Sequence, residues 1–317
     1  MKTPPKKTFI NLLLFMYIFF PKINIYSQSP CISSTVKFGD YISKMNLDVP
    51  LRINDGIEKI NLTIFDFNEN ITVDTTNVKI IDSFLSIKNS LTHADKTLII
   101  IKKFINKIVS ITHINSNTSK SQNILSRKIS YMTELEKSIE NAQNGDILFL
   151  VFNNTNFDGP KEQNLPKLKL FKKAIDKNVI VIESAGNENT NNFTDNDIST
   201  IVVGGAIPAN NMYHVAECSN FGKPVDIYGP SGINIKNDIF FYESSSGSTV
   251  ITSMAVRLQY ECKLSIHKFL DAYEMKDIFL NANSILKVIE TNGVTKQIPQ
   301  YLSLLNYAKV KYFDKRR

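Results

Sequence analysis

Cysteine is scarce in this sequence. Only Cys31, Cys218 and Cys262 occur among 317 residues. An odd number of cysteines cannot all pair within one chain. A bridge between Cys218 and Cys262 is favoured because both fall in the main predicted domain, and three buried thiols are the alternative.

The sequence also lacks the patterns that hold cofactors and metals. GGAIPA (204–209) does not have the glycine spacing of a dinucleotide motif, and no phosphate-binding loop occurs elsewhere. His, Cys, Asp and Glu residues do not recur at metal-ligand spacing. We therefore expect no cofactor. The one exception is a structural calcium ion that Asp195, Asn196 and Asp197 could hold, and a solvated loop is the alternative.

A basic stripe interleaved with aromatic residues is absent as well. The formal net charge of +7 is modest, and lysine-rich stretches such as KLKLFKKAIDK are typical of the solvated face of a helix. Nucleic-acid binding is therefore not expected. A hydrophobic content of 43% with 21% charged residues is instead ordinary for a globular fold.

The longest apolar run, FINLLLFMYIFF, is too short to span a bilayer comfortably. It follows the basic stretch MKTPPKK and precedes a polar exit that contains the small residue Ser27. This order predicts a signal peptide over residues 1–27 and a secreted or periplasmic product without membrane association. An uncleaved N-terminal anchor is the alternative.

Two further regions follow the signal peptide. Residues 28–74 are strand-like and polar, and they predict either a pro-segment or a strand pair packed on the main domain. Over residues 75–317, short runs that are apolar on both faces alternate with amphipathic helical patterns. This alternation predicts a doubly wound α/β domain, in which helices cover both faces of a mostly parallel sheet in three layers.

Sites in such sheets form at the carboxyl ends of the strands. Three polar positions meet this condition: Asp82 after VKII, Asn187 after VIVIESAG, and the pair Ser248 and Thr249 at a predicted helix start. Asn187 is the most specific of them, since a strand that runs into Ala-Gly-Asn holds one amide rigidly over a cleft. A simple turn-capping role is the alternative for this asparagine.

Taken in order, these segments resemble the subtilisin-like serine proteases. VKIIDS is similar to the strand that ends in the catalytic aspartate, AGNEN to the oxyanion asparagine segment, and SSSGSTVITSMAV to the nucleophile segment. The resemblance covers about residues 78–283. It implies a subtilisin-like fold, with Asp82 as the triad carboxylate and Asn187 as the oxyanion donor.

The histidine motif of that family, His-Gly-Thr-His, has Ser90-Leu91-Thr92-His93 as its counterpart here. This alignment puts Ser90 at the catalytic histidine, and serine cannot act as a base near neutral pH. His93 lies one helical turn further along and would replace it only if the helix shifted. The other histidines are expected to be structural: His113, His214 and His267.

The nucleophile position has two registers. The favoured register places Thr249 at the serine position, with Ser248 as a neighbouring candidate. The second matches TSMA and selects Ser253, but it puts Arg257 on a helix that should be apolar, where an unpaired arginine is costly.

These departures favour a secreted, catalytically impaired member of the family that binds a peptide or protein in the former substrate cleft. The first alternative is an active serine endopeptidase that uses Asp82, His93 and either Ser248 or Ser253. A structural or secretion-associated scaffold is the second alternative.

Overall fold

The computed structural model describes residues 41–66, 78–81, 91–115, 124–151, 161–191, 199–209, 212–236 and 239–314. The strands in these ranges are β1 (Ile60–Asp66), β2 (Val78–Ile81), β3 (Val109–Asn115), β4 (Ile147–Leu150), β5 (Ile180–Ser184), β6 (Ile201–Ala209), β7 (Met212–Val215), β8 (Ile227–Pro230), β9 (Ile233–Lys236), β10 (Ile239–Phe241), β11 (Lys287–Ile289) and β12 (Thr295–Gln297). The α-helices are α1 (Tyr41–Lys44), α2 (His93–Ile105), α3 (Ile124–Asn141), α4 (Lys161–Asp176), α5 (Glu243–Ile266), α6 (Ala272–Asn281) and α7 (Tyr301–Ala308).

A ten-stranded sheet runs through the centre of the compact unit formed by residues 33–317, in the order β12-β11-β7-β6-β5-β4-β1-β3-β2 with β8 beside β6. The neighbouring pairs β2–β3, β3–β1, β1–β4, β4–β5 and β5–β6 are all parallel. The pairs β6–β7 and β11–β12 are antiparallel. Apolar side chains fill both faces: α2 and α5 belong to the larger core, and α3 and α4 to the smaller one. The predicted doubly wound, three-layer α/β architecture is confirmed.

The strand β1 differs from the predicted domain boundary. It pairs in parallel with β3 on one side and β4 on the other, so residues 60–66 are central to the sheet. A division between residues 74 and 75 therefore misplaces the start of the main domain. The sequence INLTIFD gave only a short alternating pattern, and its burial depends on neighbours that the chain supplies about fifty to ninety residues later.

The segment before β1 is hydrogen-bonded to α5 through Arg257. The guanidinium of Arg257 donates to the carbonyls of Leu47 and Val49, at 2.9 and 2.5 Å, and stacks 4.1 Å from the ring centroid of Tyr301. Arg257 is only 1% exposed. The expectation that this helix should be apolar was therefore wrong at Arg257: backbone carbonyls from a distant segment bind its two terminal nitrogens, and among the described residues only Nε is left without a partner.

The cysteines also differ from the favoured pairing. Cys218 is disulfide-bonded, whereas Cys262 is a fully buried thiol outside any disulfide. The predicted bridge between these two residues is therefore absent, and Cys31, like the predicted signal peptide, lies outside the described residues. No helix in the described ranges is long and apolar enough to cross a membrane.

Candidate active site

A carboxylate and an imidazole meet at the end of β1. Asp66 is the last residue of this strand and is fully buried. Its Oδ1 lies 2.7 Å from Nδ1 of His93, and its Oδ2 accepts a hydrogen bond of 3.1 Å from the hydroxyl of Thr97. The carboxylate thus fixes the orientation of the ring and, with Nδ1 as donor, its tautomer.

Helix α2 begins where it does because of its cap. The side chain of Thr92 accepts from the backbone N–H of Asp95, and the carboxylate of Asp95 accepts from the N–H of Thr92. This reciprocal capping box makes His93 the first helical residue. The His93 side chain, 19% exposed, consequently lies at the carboxyl edge of the sheet.

Asn187 follows β5 after a tight turn at Gly186, whose φ of +96° favours glycine. The turn is held by Asn220, which donates to the carbonyl of Ala185 and accepts the backbone N–H groups of Glu188 and Thr190. Asn187 itself is exposed. Asn187 thus follows a buried strand and a turn held by hydrogen bonds, and its role as oxyanion donor stays a prediction.

The first turn of α5 contacts that amide. Ser244 donates to Oδ1 of Asn187 from its backbone N–H, at 3.2 Å, and from its hydroxyl, at 2.7 Å. The hydroxyl of Ser244 also accepts the N–H of Gly186. With Oδ1 occupied in this way, the NH2 group of Asn187 is the part of the amide that is available to a ligand.

Ser245, the next residue, points to a different strand end. Its hydroxyl donates to the carbonyl of Val151 at 3.0 Å, and Val151 follows β4 and donates its own N–H to Phe65 of β1. The start of α5 therefore crosses the ends of adjacent strands: Ser244 contacts the residues after β5, and Ser245 contacts the residue after β4. The next strand in the sheet is β1, which ends at Asp66.

Close packing sets the start of α5. A Cβ atom on Gly205 would lie 2.7 Å from the carbonyl oxygen of Glu243, and one on Gly247 would lie 2.7 Å from the carbonyl oxygen of Gly204. The helix backbone therefore rests directly on β6. Glu243, at the helix start, has a φ of +66°.

His93 packs edge-on against Phe241 of β10, with 5.1 Å between the ring centroids, so the strand that leads into α5 contacts the imidazole.

Comparison with solved structures identifies the fold. A cold-adapted subtilisin-like serine proteinase matches with a TM-score of 0.59 and 16% identity over 84% of this chain and 98% of that chain. The patellamide maturation protease PatA gives 0.59 and 12%, over 80% and 98%. The nisin leader peptidase NisP from Lactococcus lactis gives 0.57 and 12%, over 84% and 92%. This chain has the subtilisin-like fold. No family model and no curated protein matches the sequence.

Within the subtilisin-like fold, the predicted site residues fall in different places. Asp82 and Ser90 lie outside the described residues. His93 was expected one turn away from the site, yet it starts α2 and contacts a carboxylate. That carboxylate belongs to Asp66, which the sequence reasoning had assigned to the N-terminal extension.

The predicted nucleophiles are buried inside α5. Thr249 donates to the carbonyl of Ser245 at 2.7 Å, Ser253 donates to the carbonyl of Thr249 at 3.0 Å, and the Ser248 hydroxyl lies 2.6 Å from that of Ser184. All three are 0% exposed. The helix starts at Glu243, six residues before the predicted start at Thr249, so all three candidates lie inside the helix and not at its first residue.

Sequence reasoning missed Asp66, Ser244 and Ser245. INLTIFD is a signal that was available, since an apolar strand ends there in an aspartate. The helix was predicted to begin near Thr249, after SSSG, which left Ser244 and Ser245 outside it. The segment SSSGS is helical in the structure, where Gly247 packs against β6 and β8.

Two titratable groups near the site have shifted pKa values. Burial raises the pKa of Glu243 to about 7; the backbone N–H of Cys218 opposes this shift, and the negative charge of Glu217 contributes a smaller increase. Burial lowers the pKa of His113, a residue of β3.

In the described ranges, no group of three or more His, Cys, Asp or Glu residues could hold a metal ion. The predicted calcium ligands Asp195, Asn196 and Asp197 lie outside those ranges.

Proposed function

We propose that this chain is a serine endopeptidase in which Asp66, His93 and Ser245 form the triad and Asn187 is the oxyanion donor. The observation that carries the proposal is the 2.7 Å contact between Asp66 Oδ1 and His93 Nδ1. It supplies the oriented base whose apparent absence favoured an impaired enzyme, because that inference depended on aligning Ser90 with the catalytic histidine.

In this proposal His93 Nε2 takes the proton of the Ser245 hydroxyl as it attacks a peptide carbonyl, and Asp66 stabilises the imidazolium. Burial of Asp66 makes its charge more effective, since little water screens it. The Ser245 hydroxyl donates to the carbonyl of Val151 in the structure, so attack requires it to exchange that acceptor for His93.

Ser245 is preferred over Ser244 because the Ser244 hydroxyl is committed to orienting Asn187. Ser245 is also the third residue of α5, where a backbone N–H has no acceptor within the helix. That N–H and the NH2 group of Asn187 are the two donors proposed for the oxyanion. Fixed donors of this kind typically contribute about 10²–10³ to turnover.

The substrate proposed is an extended peptide or protein segment that binds along the strand ends. Secretion or export to the periplasm is part of the proposal: residues 1–27 have the pattern of a signal peptide, and the disulfide of Cys218 supports an oxidising compartment.

The test is covalent labelling of the exported chain with a fluorophosphonate probe, followed by mass spectrometry of the labelled peptide. We expect the label on Ser245, its loss in Ser245→Ala, and its retention in the matched variant Ser253→Ala. Label that survives Ser245→Ala, or that maps to Ser248 or Ser253, contradicts the assignment.

A chain that stays unlabelled but binds peptides would replace this proposal with the peptide-binding function predicted from the sequence. Peptide affinity of the unlabelled wild type, measured by fluorescence anisotropy, separates that outcome from an inactive preparation. If the probe labels the wild type, we expect Ser245→Ala to bind peptides as tightly as the wild type that has not reacted with the probe.

A further inference from the structure

A second histidine lies behind the Asp66–His93 pair. His113 of β3 is 1% exposed, and it pairs in register with Ile64 of β1, two residues before Asp66. Because side chains alternate along a strand, His113 shares a sheet face with Ile64 and Asp66, the face covered by α2.

Neither ring nitrogen of His113 has a hydrogen-bond partner among the described residues. Buried polar groups are ordinarily satisfied, so an unsatisfied imidazole opposes folding. Its neighbour two residues earlier on the same face is Ile111, a core residue. An apolar side chain would therefore suit this environment, and packing alone does not account for a histidine here.

The charged groups that face His113 belong to the candidate site. The carboxylates of Asp66 on β1 and Asp95 on α2 favour its protonated form, whereas the ring of His93 on α2 disfavours it. Lys79 of the neighbouring strand β2 pairs with Thr112, so it lies on the opposite face of the sheet. Burial is the largest effect and lowers the pKa of His113, which keeps the ring neutral near neutral pH.

We propose that His113 is a positioning residue for the Asp66–His93 pair: while neutral it leaves the carboxylate to His93, and once protonated it competes with His93 for that carboxylate. The inference rests on the proposed function. Uptake of one proton by His113 adds a buried positive charge on the sheet face that carries Asp66. Acid therefore switches the site off through two coupled protons, one on each ring.

The first test is the pH dependence of kcat/KM for hydrolysis of a fluorogenic peptide by the full chain. We expect the acid limb of the wild type to be steeper than that of His113→Gln by one proton. His214→Gln is the matched control, since His214 lies on β7, four strands away from β1 in the sheet. Acid limbs of equal slope in the wild type and His113→Gln would overturn the proposal.

The second test needs no activity. In the Ser245→Ala chain, the ring signals of His93 are followed by NMR as the pH falls. Two steps are expected, the second coinciding with the titration of His113 and missing after His113→Gln. A single step with His113 present refutes the inference, and the Ser245→Ala chain decides alone if His113→Gln does not fold. Two steps in a chain without peptidase activity would retain the role of His113 while the proposed function fails.

Discussion

The hydroxyl of Ser244 donates a 2.7 Å hydrogen bond to Oδ1 of Asn187. This contact joins the helix that carries the proposed nucleophile to the amide proposed as oxyanion donor. Asn187 is exposed, whereas Ser244 is fully buried, so the serine fixes the amide from the protein side.

The first prediction follows from this contact. Asn187→Ala should lower kcat by about 10²–10³ with little change in KM, because the donor acts in the transition state. Ser244→Ala should lower kcat by about tenfold, the effect of one lost hydrogen bond of about 1.4 kcal/mol. The two effects should not add in the double variant, since both act through the same amide. Additive losses would show that Ser244 acts elsewhere.

The second prediction separates the two candidate aspartates. Asp66→Asn should reduce kcat by about 10⁴ without unfolding the chain, because the isosteric amide no longer stabilises the imidazolium of His93. Steady-state kinetics with a fluorogenic peptide provide the measurement. Asp82→Asn is the matched control and should retain wild-type kcat. If Asp82→Asn is the damaging change, the carboxylate predicted from the sequence is the functional one.

The third prediction concerns the pH dependence of stability. Since the pKa of Glu243 rises from 4.5 to about 7 on folding, the folded chain binds this proton more tightly than the unfolded chain. The stabilisation is fully present below pH 4.5 and is lost as the pH rises through about 7.

Glu243→Gln keeps the neutral form at every pH. Urea unfolding should therefore show this variant gaining up to about 3 kcal/mol on its parent between about pH 4 and pH 8. Glu136→Gln, at an exposed position of α3, is the control and should show no such trend. A pH-independent difference for Glu243→Gln would mean that its carboxyl is not perturbed.

The fourth prediction concerns the segment that precedes β1. Arg257→Ala should destabilise the chain by about 3–5 kcal/mol in urea unfolding, because it leaves the carbonyls of Leu47 and Val49 without their donors and removes the stack on Tyr301. Lys263→Ala breaks the contact with Glu58, which is 74% exposed, and should change stability by less than about 1 kcal/mol. Equal effects of the two changes would contradict the stabilising role of Arg257.

Part of the site was predictable from local patterns. The position of Asn187 at a strand end was predictable because a buried strand and a turn that favours glycine precede it, and both signals lie within a few residues of the asparagine. The capping box of Thr92 and Asp95 was readable in the same way, and it would have placed His93 at a helix start. The alignment with the family motif led instead to Ser90.

The sequence by itself determined the α/β class, most of the strands and helices, and the strand end that carries Asn187, because apolar periodicity and turn residues act over short distances. Tertiary structure decided the rest. Asp66 faces His93 only because β1 inserts between β3 and β4, and α5 begins at Glu243 only because glycines let it rest on β6. These contacts join residues far apart in the chain, so no local pattern encodes them.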